Sequence, residues 1–315
     1  MGCANIAQRL MIPAILSMKD QWDLVGIASR TQEKAELFAN KFNCEPIVGY
    51  DSLLVRKDID AIYMPLPTGL HKEWIIKALQ AGKHVYAEKS IAMNVQDAKE
   101  MITWAKEKKL ALMEGYMFQY HQQHQIVKDL IAKGEIGEIR NIRASFGFPP
   151  FPDPKNFRYN NEIGGGALKD AAGYVWRAIN FLCGNIFELK AANVHYRKDG
   201  TSIYGSAFAT AKDISAEISF GFDNYYQCNY EIWGSKGKIT CLRAYTPKPN
   251  EITKIVFEQQ GVYKEISCDP DNHFVGAMVE FHHLCTGKSN KKRHYEDILF
   301  QSKGLDIIEA FSLIK

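Results

Sequence analysis

Three side chains have the types and spacing of a proton-transfer apparatus. Asp170 and Tyr174 stand four apart in "GGGALKDAAGY". On a helix that spacing puts both on one face. Lys89 closes "KHVYAEK", a short apolar run that reads as a buried strand. An ammonium beside a phenol favours the phenolate and lowers the phenol pKa. Such a tyrosine gives up a proton near neutral pH and is left as a stabilised anion. Reduction of a carbonyl by hydride needs that proton, because the alkoxide it leaves must be protonated. A plainer reading of each stands beside this one. Lysines at strand ends are commonly solvated, and an Asp–Tyr pair at helical spacing often makes a structural hydrogen bond.

Hydride transfer requires a carrier. The opening "MGCANIAQRL" sets Gly2, Ala4 and Ala7 at the G-x-A-x-x-A spacing of a phosphate-cradling turn. The following "NIAQRLMIPAIL" reads as a helix, whose N-terminal amides would face a pyrophosphate. Alone, the pattern also fits a plain helix start near a chain end. The next strand, "GIASR", ends in Ser29 and Arg30. NAD enzymes usually carry Asp or Glu there, accepting from the ribose hydroxyls. A hydroxyl followed by a guanidinium suits a 2′-phosphate instead, although Arg30 is equally the type of a solvated surface residue. The expected cofactor is NADP(H), ahead of NAD(H).

Other clusters carry less. His121 and His124 lie one helical turn apart, as a metal pair would, but no third ligand has the spacing to join them. Substrate contact by one and packing by the other fit better. His282, His283 and Cys285 also lack a metal pattern, so no metal is expected.

The totals set bounds on this chemistry. The chain has 315 residues, enough for about two domains. Hydrophobic residues make up 46% and charged residues 24%, as in ordinary globular proteins. The net charge of +3 is too small to argue for nucleic acid, and Lys291, Lys292 and Arg293 form the densest basic cluster. The cysteine count of 7 is odd and no C-x-x-C occurs, so reduced thiols in a cytoplasmic protein are expected. No signal peptide and no apolar run of about 18 residues argue for export or a membrane.

The elements that must hold these side chains can be read in order. "WDLVGIAS", "DIDAIYMPL", "KHVYAEK" and "LALMEGY" read as buried strands. "TQEKAELFANKF", "HKEWIIKALQAG" and "NVQDAKEMITWAKEKK" between them read as helices, the last capped by Asn94. Alternation of this kind means βαβ units and a parallel sheet, with ligands at the carboxyl ends of the strands. Ser29-Arg30, Pro65 to His71, and Glu88-Lys89 all fall there. After about residue 117 the pattern changes to a helix over 120–134, a strand over 137–148, a proline-rich loop, the glycine run with its helix, and then consecutive strands from about 187 to 267. Strands without intervening helices indicate a largely antiparallel sheet, open on one face. Two helices close the chain. The expected fold is an α/β dinucleotide-binding (Rossmann) domain over 1–118 and an α+β domain with an open, mostly antiparallel sheet over 119–315. The last helix, 295–315, is expected to pack back on the first domain.

"GCANIA", "VGIASRTQEKAELFA", "DIDAIYMPLPTGLHKEWIIKALQAGKHVYAEKS" and "GGGALKDAAGY" together resemble the glucose–fructose oxidoreductase / inositol dehydrogenase (Gfo/Idh/MocA) family over essentially the whole chain. The resemblance implies the same two-domain fold, with dimers or tetramers formed through the open sheet. Lys89 matches the E-K-P lysine of the family, a catalytic or substrate-orienting residue. Asp170 and Tyr174 match its D-x-x-x-H/Y pair, and tyrosine at the second position is similar to the nucleotide-sugar 3-ketoreductases, where it is the proposed acid. Cofactor contacts implied by the resemblance are Gly2, Ala4, Asn5, Ile6, Ser29, Arg30, Pro65, Leu66, His71, Glu88 and Lys89, with Arg158 as a further cofactor-side residue. "YMFQYHQQH" and "YEIWGSKGKITCLRAYTPKP" resemble the same subgroup and suggest Tyr116, Phe118, His121 and Arg243 at the substrate.

Two departures stand out. Ser90 replaces the proline of E-K-P and removes a constraint on Lys89. The family's first strand, central in the sheet, is missing ahead of Gly2. Its loss would leave two buried strand edges unpaired, so about ten residues are expected to precede Met1 in the natural protein. Were the 315-residue chain complete, weak cofactor binding and a frayed sheet centre would be expected.

The functional expectation is an NADP(H)-dependent oxidoreductase acting on a carbohydrate-like ketone or alcohol. Reduction of a nucleotide-linked 3-keto-deoxysugar leads. Oxidation of a free sugar, cyclic polyol or dihydrodiol is the alternative, and a non-catalytic NADP-binding sensor is a third reading. The expected partners are a small carbohydrate-like substrate and further copies of the chain as a homodimer or homotetramer, with no nucleic acid and no membrane.

Overall fold

A computed structural model describes residues 1–313. Its first third alternates strands and helices. A helical stretch runs through Ala7–Met11, wound in wider π turns, into α1 (Ile12–Leu16). There follow β1 (Gly26–Ser29), α2 (Gln32–Phe42), β2 (Glu45–Val48), α3 (Tyr50–Leu54) and β3 (Ala61–Met64). Next come α4 (Thr68–Gln80), β4 (His84–Ala87), α5 (Val95–Glu107) and β5 (Leu112–Glu114). The helix ends obey local chemistry. The Asn94 side chain accepts from Asp97 N at the start of α5, and Asn43 closes α2 in the left-handed region. Met64, Ile75, Leu79, Val85 and Met101 are fully buried in the core that these elements share.

All strand pairs here are parallel. They form two sheets, β1–β2 and β3–β4–β5. The first two residues lie between them. The Met1 amino group donates to Tyr63 O of β3 at 2.9 Å, and Gly2 N–H donates to Ala28 O of β1 at 2.8 Å.

The middle of the chain adds a 3₁₀ turn (Met117–Tyr120), α6 (Gln122–Ala132), β6 (Ile139–Gly147) and two further 3₁₀ turns over 157–163. After the glycines, a π-wound turn (Leu168–Ala172) runs straight into α7 (Gly173–Cys183). Strands β7 (Glu188–Tyr196), β8 (Ser202–Ala211), β9 (Ile214–Gly221) and β10 (Gln227–Gly234) follow. Then come β11 (Gly237–Cys241), β12 (Thr253–Gln259) and β13 (Val262–Cys268), and the helices α8 (His273–Cys285) and α9 (Lys291–Leu313). The eight strands form one sheet in the order β13-β12-β11-β10-β6-β9-β8-β7, antiparallel except for β6 beside β9. Side chains alternate across it. Ile142, Ala144 and Phe146 of β6 are buried on the side where α7 packs on β6 and β9, while Arg143 points to the open face.

The chain divides into two compact units, residues 1–115 with 274–299, and residues 116–273 with those from Phe300 onward. The single boundary near 118 expected from sequence is thus crossed again by the last two helices. Aromatic packing explains α8: Phe281 stacks on Trp22 at 5.5 Å and meets Tyr86 edge-on at 5.6 Å. The first part of α9 adds Tyr295 and Ile298 to the same core, and Tyr295 Oη donates to Leu110 O at 2.6 Å. From Phe300, α9 belongs to the second unit.

Candidate active site

In the first unit the strand ends carry the expected polar residues. Gly2 holds φ +98°, and a Cβ there would lie 2.8 Å from Leu66 Cδ2. Only glycine holds that backbone readily so close to Leu66, two residues beyond β3. Ala4 O accepts from Gln8 N at 3.1 Å as the first helix begins. Ser29 ends β1 buried at 5% exposure, with Thr31 N–H 3.5 Å from its hydroxyl. Arg30 is exposed and makes no hydrogen bond or ion pair among the described residues.

Glu88 and Lys89 directly follow β4, both half-buried. Glu88 is held twice: its N–H donates to Met64 O at 3.0 Å, and its carboxylate accepts from Tyr63 Oη at 2.8 Å. The Lys89–Ser90 peptide is cis, and Ser90 O faces His71 Nδ1 at 3.1 Å. His71 is completely buried, and burial lowers its pKa to about 4. A neutral ring therefore holds the segment that carries Lys89. The structure places His71 beneath this segment, where its own surface is closed to solvent.

In the second unit the wide turn Leu168–Ala172 carries Asp170, and α7 carries Tyr174 in its first turn. Asp170 Oδ2 accepts from Arg158 Nε at 2.9 Å. Arg158, implied by resemblance at the cofactor, is thus bound to a catalytic candidate. Its loop is pinned by backbone bonds, Gly166 N to Arg158 O at 2.7 Å and Gly165 N to Asn160 O at 2.8 Å. A Cβ at Gly165 would come within 2.6–2.8 Å of three carbonyl oxygens, which explains a glycine there.

Tyr174 is 5% exposed. Its ring meets Phe146 at 4.9 Å, Tyr116 at 5.4 Å, Tyr245 at 5.8 Å and Phe118 at 6.1 Å. Its hydroxyl donates to Met117 Sδ at 3.7 Å, a soft acceptor. An aromatic wall of this kind fixes a phenol's position.

The four substrate candidates separate. Tyr116 is buried, and its hydroxyl accepts from Gln301 Nε2 at 3.0 Å. Phe118 is fully enclosed among His124, Tyr174, Phe181 and Tyr245, so it shapes the core beside Tyr174. His121 caps α6, its Nδ1 accepting from Gln123 N at 3.2 Å, and burial lowers its pKa. His124 bonds Tyr230 Oη at 2.8 Å and Ala244 O at 3.0 Å inside the core, where its pKa falls to about 3. Arg243 is partly exposed, stacked 5.0 Å over the Tyr226 ring, with its Nε 3.4 Å from Glu251 Oε1. No group of three or more metal-ligating side chains occurs among the described residues. Met117, Phe146 and Tyr245, which complete the Tyr174 wall, were not singled out as ligands. Their signal in sequence is only that of core aromatics and a thioether.

Comparison with known proteins adds an independent line. The model described as "Oxidoreductase family, NAD-binding Rossmann fold" (GFO/IDH/MocA) matches residues 1–116, and the GFO/IDH/MocA C-terminal domain matches residues 124–240. The chain is 41% identical over 283 residues to a dTDP-3,4-didehydro-2,6-dideoxy-α-D-glucose 3-reductase of Saccharopolyspora spinosa, covering 89% of this chain and 85% of the relative. It is 32% identical over 318 residues to the enzyme of that name from Streptomyces antibioticus, covering 100% and 96%. The crystal structure of a 3-ketoreductase from Actinomadura kijaniata, in complex with NADP and TDP-benzene, superposes with a TM-score of 0.94 at 36% identity, covering 98% of this chain and 95% of that one.

Proposed function

The chain belongs to the Gfo/Idh/MocA oxidoreductase family, and we propose that it is an NADPH-dependent reductase of a nucleotide-linked 3-keto-deoxysugar. The observation that carries this reading is Tyr174, a phenol walled by four aromatic rings and preceded by an Arg158-bound Asp170. The names of the relatives support the sugar class and the direction. The Actinomadura enzyme, crystallised with NADP, supports the cofactor.

The first unit fits the cofactor. Gly2 supplies the hydrogen-only position that a pyrophosphate turn requires, with Ala4, Asn5 and Ile6 opening the helix behind it. Ser29 and the exposed Arg30 guanidinium suit a 2′-phosphate. Pro65, Leu66 and Glu88 lie at the strand ends where the nicotinamide half binds in this fold. When bound, NADPH supplies the hydride that reduces the keto carbon.

The protein's own part is to bind, orient and protonate. Lys89 is the substrate-orienting lysine of the first unit. Tyr174 gives its proton to the carbonyl oxygen and is left as a phenolate, reprotonated from water before the next turnover. Asp170, fixed by Arg158, orients the substrate hydroxyls beside the reacting carbon. Arg243, partly exposed beside Tyr226 and Glu251, is the cation proposed to meet the substrate's phosphates.

The open sheet face is the proposed oligomer contact. Glu217, Arg143, Glu231, Lys238 and Glu258 alternate in sign across β9, β6, β10, β11 and β12. Trp233, Tyr204 and Phe208 stand exposed on the same sheet, Trp233 at 52%. Alternating charges around exposed aromatics suit a self-complementary contact.

A panel of dTDP-linked keto sugars, free sugars, cyclic polyols and dihydrodiols tests the function. NADPH consumption with the dTDP-linked 3-keto sugar alone supports it. Turnover only with free sugars or diols would assign the alternative. NADPH binding without turnover on any carbonyl would point to a sensor.

A further inference from the structure

Gln301 lies far from Tyr174 in sequence, yet it touches the framework of Tyr174. It is 1% exposed on α9. Its side-chain amide donates both hydrogens, one to Tyr116 Oη at 3.0 Å and one to Gly173 O at 2.9 Å. Gly173 directly precedes Tyr174. Tyr116 stands edge-on to the Tyr174 ring at 5.4 Å. One amide therefore ties the backbone behind Tyr174 to the ring beside it.

Gly173 makes this tie possible. A Cβ there would run into the Tyr116 hydroxyl and lie 3.3 Å from Gln301 Nε2. It also stands at the junction where the π-wound turn becomes α7, a place where helix backbone adjusts most easily. The anchor itself is firm. Phe300, the residue before Gln301, stacks on Trp176 at 5.5 Å with planes 4° apart, and Gly304 one turn later lies against the same indole. Thus α9 is fixed against α7 on both sides of Gln301.

We propose that Gln301 is a positioning residue for Tyr174, setting the place and orientation of its hydroxyl through Gly173 and Tyr116. The inference rests on the reading of Tyr174 as the proton donor. Misplacement by about 1 Å costs a reaction on the order of 10²-fold, so an amide that removes this freedom affects turnover without touching substrate. Hydrophobic packing alone does not supply it, because rings pack well over a range of angles, whereas two hydrogen bonds from one planar amide do not.

The test is a double-mutant cycle on the full chain with NADPH and dTDP-3,4-didehydro-2,6-dideoxyglucose. Gln301→Met keeps the volume and removes both donors. It should lower kcat about tenfold or more and change NADPH Kd less than about twofold. In a Tyr174→Phe background the same substitution should cost nothing further. Equal losses in both backgrounds would overturn the proposal, as would an unchanged kcat. Gln301→Asn, which keeps the amide but shortens its reach, serves if the methionine variant does not fold, with the same expectation.

A second readout needs no substrate. In protein labelled at tyrosine Cζ, the Tyr174 resonance is the one lost in Tyr174→Phe. It should shift or broaden in Gln301→Met and in Gln301→Asn, and an unmoved resonance overturns the positioning role. If the wild type does not turn over the keto sugar, the proposed function fails, while this resonance still decides the role of Gln301.

Discussion

Arg158 Nε donates to Asp170 Oδ2 at 2.9 Å, and this bond joins the proline-rich loop to the turn that opens the Tyr174 helix. Both partners are partly buried, with side-chain exposures of 31% and 17%. The pair should matter more for turnover than for stability, since partly exposed ion pairs contribute about 1 kcal/mol or less. Asp170→Asn and Arg158→Gln are each expected to lower kcat/KM about tenfold or more. The double variant should lose little beyond either single one, because both remove the same contact. Steady-state kinetics on the four proteins would check this, and fully additive losses would show that the two residues act separately.

Arg30 stands exposed at the end of β1 without an ion-pair partner among the described residues. If it receives the 2′-phosphate, Arg30→Ala should weaken NADPH binding by roughly 10- to 100-fold, as loss of a charge-assisted contact does. NADH binding should stay within about twofold. Titration of both nucleotides by fluorescence would decide. An unchanged ratio of affinities would remove Arg30 from the cofactor site.

Three buried histidines make stability depend on pH. Burial lowers the pKa of His71 to about 4, and of His124 and His273 to about 3, from an ordinary 6.5. The folded form takes up protons less readily than the unfolded chain. Stability is therefore complete above about pH 6.5 and falls as the pH drops toward the folded values, by about 1.4 kcal/mol per pH unit for each histidine. It levels off only below them. The urea midpoint should be clearly lower at about pH 5.5 than at about pH 7.5. A midpoint that does not move would mean that these rings are not neutral in the fold.

Trp233 projects from the open sheet face beside the row of alternating charges. Replacing it with arginine should convert an oligomer to monomer in sedimentation equilibrium and leave the unfolding temperature of the monomer nearly unchanged. A wild-type protein that sediments as a monomer at micromolar concentration would dispose of this contact.

The fold was legible where burial is continuous. Residues 61–66 and 85–87 are apolar without break, as strands covered on both faces must be, and β3 and β4 lie there. The strands that went unread are the exposed ones. Only Ile47 is buried in β2, which also contains Pro46, and β13 is exposed along nearly its whole length at the sheet edge. Neither carries a periodic apolar signal. Among the candidate site residues, chemical type singled out the strand-end group and the Asp170–Tyr174 pair. Type did not separate Phe118 and His71 from residues that face a ligand, because an aromatic or imidazole side chain suits both places and only packing chooses. Gln301 gave no signal at all. A glutamine within a long helix reads as a solvated residue, and its burial follows from the stacking of Phe300 on Trp176.

The central claim is that Tyr174 donates the proton in an NADPH-dependent reduction. Tyr174→Phe removes one oxygen from a ring already held by its neighbours, so the wall around it should survive. The most direct measurement is kcat for the dTDP-linked 3-keto sugar together with NADPH Kd in this variant. The account predicts a fall in kcat of about 10²-fold or more with NADPH binding unchanged. Undiminished turnover would contradict it and return the role of acid to another group.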